Sequence, residues 1–180
     1  ERLALSARRA LDPQDTLSAV MAQGGPHVVQ SAPELEQANA NALALVNRHA
    51  TQHDAILLAI SLDGVAVWLR ERFPTMPIVG MTEAALLTAC LRAERIGLLT
   101  LGTSMLPLYQ DRVAQVGVCS RVVAYAAPEA PMAFKADASG AVPAVLDELV
   151  SAGEQMSRAG PQFIVLAGAV LCGYAEALQS

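Results

Sequence analysis

Two apolar segments that each end in small and polar residues constrain most strongly what this chain can fold into. They are DAILLAISLDG at residues 54–64 and FIVLAGAVLCG at residues 163–173. Each contains an uncharged run typical of a strand buried on both faces, and each run breaks where a helix should begin. In an open α/β sheet, ligands bind at such carboxyl ends of the strands. The two segments therefore predict a parallel sheet with a binding site at these ends.

The remainder of the chain alternates between helical and strand patterns. Ser31 and Thr82 have side chains suited to cap the helices that follow them. This alternation predicts an α/β fold, with a parallel sheet, right-handed crossovers and helices on both faces. We expect helices at residues 1–11, 33–49, 65–73, 82–94, 142–158 and 170–178. A further helix is expected to follow the turn at 102–104 and to end near 117. Strands are expected at residues 16–21, 54–60, 77–80, 96–100, 120–125 and 163–166.

Composition and charge narrow the range of partners. Hydrophobic residues make up 53% of the chain and charged residues 16%, and the net charge is -5. The basic residues are scattered, which argues against nucleic acid or an anionic membrane surface as a partner. The longest uncharged stretch, 163–175, is shorter than the roughly 20 residues that cross a bilayer. We expect a small-molecule partner, and the low-charge helices also allow a homo-oligomer.

Cysteine, lysine and histidine give little support for other chemistries. Three cysteines at long spacing fit neither a disulfide framework nor a zinc site, so we expect a reducing cytoplasm and structural roles for Cys90, Cys119 and Cys172. The single lysine, Lys135, lies in a loop-like stretch, which argues against Schiff-base chemistry. His49 and His53 have the spacing of a metal pair but straddle a helix end, so no metal site is predicted.

Four segments, taken in order, resemble the aspartate/glutamate/hydantoin racemase superfamily, and most closely its hydantoin racemase branch. Within IGLLTLGTSMLPLYQDRVAQVGV (96–118), the matching residues are Thr100, Gly102, Thr103, Leu108 and Tyr109. The other three segments are PIVGMTEAAL (77–86), VCSRVVA (118–124) and IVLAGAVLCGYAEAL (164–178). The resemblance spans roughly residues 54–178.

The resemblance implies a cofactor-independent racemase with two similar α/β halves around a cleft. One cysteine thiolate removes a proton from the substrate, and a second thiol returns one from the opposite face. Ile60 and Gly168 stand at the two matching positions, so the catalytic residues are unknown. We expect one racemase-like unit over residues 1–180, with halves at about 54–125 and at 1–50 plus 140–180. The family's Asn-Pro-Asn-Thr strand is missing, and both ends look trimmed.

By the same resemblance, the ligand is a small carboxylate, an amino acid or a hydantoin. The expected binding residues are Ser61, Thr82, Glu83, Thr100, Gly102, Thr103 and Ala169, and Asp63, Glu83 and Cys172 are candidates for a replacement acid or base. The leading hypothesis is an isomerase-type protein whose racemase activity is altered or lost. The alternative is a catalytically silent paralogue that binds a metabolite or regulates an active enzyme. Whether the chain is an enzyme is left open at this point.

Overall fold

The structure is a computed structural model that describes residues 2–26, 28–29, 31–129 and 142–179. The predicted loop at 126–141, with Lys135, lies mostly outside these residues. The α-helices are α1 (Arg2–Ala10), α2 (Ala32–His49), α3 (Ala66–Arg72), α4 (Met81–Arg92), α5 (Leu106–Val116), α6 (Pro143–Ser157) and α7 (Tyr174–Gln179). The strands are β1 (Ile56–Leu58), β2 (Ile78–Gly80), β3 (Ile96–Leu99), β4 (Val122–Ala126) and β5 (Phe163–Leu166).

All the strand pairs of the described residues are parallel, which confirms the predicted α/β class. β1 pairs with β2, with Leu57 opposite Val79. A second sheet has the order β4-β3-β5, with β3 in the centre. The strands are therefore divided between two parallel sheets. The division of the chain into halves at the expected boundaries stays a prediction.

The three-stranded sheet is covered on both faces. Ile96 and Leu98 of β3 pack in a cluster with residues of α4 and α5, whereas Leu99 packs with residues of α6 and α7. Successive side chains of a strand point to opposite faces, which explains why β3 is buried along its whole length. Because helices cover both faces of β3, all four of its residues are buried, and its sequence is continuously apolar.

The two-stranded sheet buries one face only. Leu58 and Ile78 pack with residues of α2 and α3. Leu57 and Val79 lie on the other face and are 53% and 45% exposed.

None of the described helices is long and apolar enough to span a bilayer.

Three sequence-based expectations about local structure are wrong. Residues 16–21 form no strand, because this segment pairs with no neighbouring strand in the described part of the chain. The helix expected at 170–178 is divided into a 3-10 turn at Ala169–Leu171 and α7, with Gly173 between them at φ +94°. Cys119, expected to be buried, is exposed, whereas Cys90 and Cys172 are partly buried.

Candidate functional site

Polar groups from four strands meet where those strands end. Ser61 follows β1, Thr82 follows β2, Thr100 follows β3, and Ala169 follows β5. The Ala169 amide donates a hydrogen bond to Ser61 Oγ at 2.5 Å, and the Thr82 hydroxyl donates to the Ser61 carbonyl oxygen. The Tyr109 hydroxyl hydrogen-bonds to the side chains of Ser61 and Thr100. We call Ser61, Thr82, Thr100, Tyr109 and Ala169 the strand-end cluster; it joins the two sheets.

Tyr109 connects this cluster to the apolar core. It begins the second turn of α5 and is only 1% exposed, as is Thr100. Burial raises the pKa of the Tyr109 hydroxyl, and its hydrogen bonds to Ser61 and Thr100 oppose that shift only in part. Tyr109 is therefore a neutral hydroxyl at physiological pH. The sequence marked Tyr109 only as a motif residue, because helical spacing does not reveal that its hydroxyl reaches the ends of two strands.

Asp63 is the centre of a second set of polar contacts beside the strand-end cluster. Its side chain is completely buried. Its Oδ2 atom accepts hydrogen bonds from the amides of Thr82, at 2.8 Å, and Glu83, at 3.1 Å, at the first turn of α4. Its Oδ1 atom accepts one from Arg112 Nε at 2.6 Å. Asp63 thus caps α4 from a distant part of the sequence, which is the role that the sequence assigned to Thr82.

Gly80 makes this capping contact possible. Gly80 stands at the N-cap position of α4. A Cβ atom built on Gly80 would lie 2.1 Å from Asp63 Oδ2, far inside the contact distance. The position therefore requires glycine because the carboxylate approaches the backbone closely.

Glu83 is held in ion pairs. Its two carboxylate oxygens accept hydrogen bonds from Arg70 at 3.0 and 2.9 Å, and Oε2 also contacts Arg112 Nη2 at 3.2 Å. The hydrogen bond from Arg70 is the main cause that lowers the pKa of Glu83, with the charges of both arginines adding to it against the effect of burial. We call Asp63, Glu83, Arg70 and Arg112 the ionic network. Its carboxylates hold the two arginines and the start of α4 in place.

The two positions expected to carry cysteine have clear local roles. Ile60 packs against the apolar cluster formed by α2, α3 and the two-stranded sheet. Gly168 has φ +152°, a backbone conformation that residues other than glycine rarely adopt. A Cβ atom added there would lie 3.4 Å from Leu101 Cδ1. Cys172, the candidate replacement thiol, is partly buried directly after the 3-10 turn that follows Gly168.

Gly102 and Thr103 lie closer to the surface than Thr100. Thr103 is exposed and begins a 3-10 turn that runs into α5. A Cβ atom added to Gly102 would meet nothing within 4 Å. Of the predicted binding residues, Ser61, Thr82, Thr100 and Ala169 are brought together, Glu83 belongs to the ionic network, and Gly102 and Thr103 follow the end of β3 towards solvent.

Other candidate sites find less support in the described residues. His53 Nδ1 lies 3.0 Å from the His49 carbonyl oxygen, and the described part contains no group of three metal-ligating side chains. Two surface depressions of the described residues lie away from the strand-end cluster. One is lined by Arg121, Gln162 and the end of α4, and the other lies beside the end of α1.

Comparisons with known proteins agree with this architecture. The family model "Asp/Glu/Hydantoin racemase" matches residues 1–180. Solved structures with a similar fold include an allantoin racemase from Klebsiella pneumoniae, with a TM-score of 0.86 and 21% identity over 99% of this chain and 72% of that chain. Another is an allantoin racemase from Pseudomonas fluorescens, with a TM-score of 0.85 and 22% identity over 98% of this chain and 74% of that chain. Curated sequences give no match. The chain belongs to the Asp/Glu/hydantoin racemase family.

Proposed function

We propose that this protein binds a small hydantoin or carboxylate at the strand-end cluster and does not racemise it. The observation that carries this proposal is the ionic network: Asp63 and Glu83, the carboxylates nearest the strand ends, both serve as acceptors for arginines. Their lone pairs hold Arg70, Arg112 and the start of α4. A metabolite-binding protein needs only hydrogen-bonding groups, and the cluster supplies them.

Racemisation needs one group that removes a proton from a carbon and another that delivers a proton to its opposite face. By resemblance these groups would stand at positions 60 and 168. The side chain of Ile60 has no acidic proton, and Gly168 has no side chain. The backbone at Gly168 also favours glycine, since φ there is +152°. The residues at both positions thus support the proposal that this protein does not transfer protons to or from its ligand.

Ligand binding uses hydrogen-bonding groups of the cluster that can exchange their present partner for a ligand. The Ala169 amide donates a hydrogen bond to Ser61 Oγ and so connects the ends of β5 and β1. A ligand that inserts between these two groups replaces their hydrogen bond and gains both groups as partners. Allantoin, which the names of both structural neighbours mention, is a 5-substituted hydantoin whose ring N–H and C=O groups suit such partners. No cofactor is needed for this role.

We further infer that the protein lies in the cytoplasm, as its cysteines led us to expect, and that it forms the homo-oligomer that its low-charge helices allow. Leu87 and Leu91 on the outer side of α4 support an association surface, because they are 46% and 89% exposed. Size-exclusion chromatography with light scattering tests this point. A monomer at micromolar concentration would contradict it.

The loss of proton transfer is tested by deuterium wash-in at the reacting carbon. The wild type and an Ile60→Cys/Gly168→Cys variant are incubated in heavy water with allantoin, 5-substituted hydantoins, aspartate and glutamate. The matched control is Ile60→Ser/Gly168→Ser, which has similar volume and lacks a thiol. We expect no exchange above background with the wild type or the serine variant. Exchange catalysed by the wild type would overturn the proposal and point to Cys172 or another group as the acid and base.

Exchange by the cysteine variant alone would show that the fold still presents a ligand to both positions. Strain at Gly168 works against this gain, since a non-glycine residue in such a conformation costs about 1–3 kcal/mol. The folded state of the variant is therefore checked by thermal unfolding before its exchange rate is compared with that of the serine control.

A further inference from the structure

The helix α4 turns an apolar stripe to solvent on the side away from its buried residues. The buried residues are Thr82, Leu86 and Ala89. Leu91 is 89% exposed, more than any other large hydrophobic side chain of the described residues, and Leu87, one turn away, is 46% exposed. Four residues at helical spacing make up this stripe, which we call the outer face of α4: Ala84, Leu87, Thr88 and Leu91.

The outer face is complementary in shape to a second copy of itself. Two copies of α4 can run antiparallel about a twofold axis that passes between positions 87 and 88. Leu91 of each copy then lies opposite the partner's Ala84, and Leu87 lies opposite the partner's Thr88. Each leucine meets a smaller side chain, and this alternation of large and small residues lets two helices pack closely. The seven positions from 84 to 91 extend over about 10 Å of the helix axis.

The charges at the two ends of α4 favour the same antiparallel arrangement. The depression at the end of α4 is lined by two arginines, Arg92 and Arg121, and by one carboxylate, Glu94; Arg95 is exposed next to them. At the start of α4 the side chain of Glu83 is 22% exposed. An antiparallel pair places the basic end of each copy beside the Glu83 end of the other and opposes the two helix dipoles. A parallel pair would bring the two basic ends together.

We propose that the outer face of α4 is the surface through which two copies of this chain associate, with the two α4 helices antiparallel. The inference rests on the proposed homo-oligomer and names the surface that forms it. The chain carries a net charge of -5, so a second copy approaches the basic end of α4 with little of the repulsion that two acidic chains otherwise experience.

Replacement of Leu91 by glutamate tests this surface on the whole chain. Leu91 lies in water in a single copy, so Leu91→Glu should fold normally, and circular dichroism checks that it does. In the pair the new carboxylate would be buried against the partner's Ala84, which is unfavourable. We expect light scattering to give half the wild-type mass at the same micromolar concentration. The matched control is Val150→Glu on α6, where the side chain is 40% exposed, and it should keep the wild-type mass.

Disulfide cross-linking tests the arrangement without disturbing the apolar residues. Thr88 lies beside the proposed twofold axis, so Thr88→Cys places two thiols close together. Cys119→Ser removes the exposed natural thiol from all variants, and Ser151→Cys, at an exposed position of α6, is the control. Under mild oxidation we expect Thr88→Cys to form the covalent dimer at least about tenfold faster than Ser151→Cys, because the pair raises the effective concentration of its thiols.

The two experiments separate this inference from the proposals on which it rests. An oligomeric wild type whose mass Leu91→Glu leaves unchanged, and whose Thr88→Cys variant cross-links no faster than the control, would overturn the inference alone, because the copies would meet on another surface. A monomeric wild type would overturn both the inference and the proposed homo-oligomer. Neither result bears on ligand binding at the strand-end cluster, which deuterium exchange and ligand titration test separately.

Discussion

Replacement of Arg112 by methionine should destabilise this protein more than any other single change in the ionic network. Arg112 is 4% exposed, and it is the guanidinium that neutralises the completely buried Asp63. Arg112→Met keeps most of the apolar side-chain volume and removes the charge, so Asp63 is left with two backbone amides as partners. Breaking one half of a buried ion pair costs about 3–5 kcal/mol, because the remaining charge stays away from water.

Arg70→Met is the matched control in the same network. The Arg70 side chain is 39% exposed, and its partner Glu83 is 22% exposed. A partly exposed ion pair contributes about 0–1 kcal/mol, and the hydrogen bond from Arg70 Nε to the Ile78 carbonyl oxygen adds about 1 kcal/mol. We therefore expect a loss of about 1–2 kcal/mol for the control, less than for Arg112→Met.

Urea unfolding followed by circular dichroism measures both losses as changes in the free energy of unfolding. A double variant, Asp63→Asn/Arg112→Met, should be more stable than the sum of its single changes predicts, because it removes both charges. A loss below about 1 kcal/mol for Arg112→Met, or one no larger than that for Arg70→Met, would refute the importance of the buried pair.

Three further predictions concern residues around the network and the cluster. Gly80→Ala should lower the free energy of unfolding by about 2–4 kcal/mol because it displaces the Asp63 carboxylate, whereas Gly102→Ala, in open space, should change it by less than about 1 kcal/mol; similar losses would contradict the close-contact account. The wild type should lose stability as pH falls below 4.5, because the folded state lowers the pKa of Glu83 and protonation breaks its ion pairs. Urea unfolding from pH 6 to pH 3 should show a shallower loss for Glu83→Gln, and parallel curves would exclude this role. Tyr109→Phe should cost about 1–2 kcal/mol by leaving its buried partners unpaired, and an unchanged unfolding midpoint would refute that contact.

Most of the helices and strands follow from local patterns in the sequence. The strand predicted at 163–166 has the same bounds in the structure, and α2 begins directly after Ser31, although the Ser31 side chain makes no capping hydrogen bond. These elements carry their own signals in apolar periodicity and capping residues. The strand expected at 16–21 shows the limit of such signals, since a strand exists only when another strand pairs with it.

The sequence predicted which strand ends form the site, but it did not predict the side-chain contacts within it. Ser61, Thr82, Thr100 and Ala169 meet because parallel strands place their carboxyl ends at one edge. The ionic network could not be predicted, because Asp63 and Arg112 are 49 residues apart and lie on different elements. Pairing across such a distance depends on how α5 packs beside the end of β1.

The central claim is that the strand-end cluster binds a small hydantoin or carboxylate, and amide chemical shifts test it most directly with a hydantoin. We would titrate the ¹⁵N-labelled wild-type protein with 5-methylhydantoin and follow its assigned NMR spectrum. The account predicts saturable shifts at the amides of Ser61, Gly102, Thr103 and Ala169, with no large shift at Gln162 beside the distant depression. Shifts centred on Gln162, or no saturable shift at any amide, would contradict it.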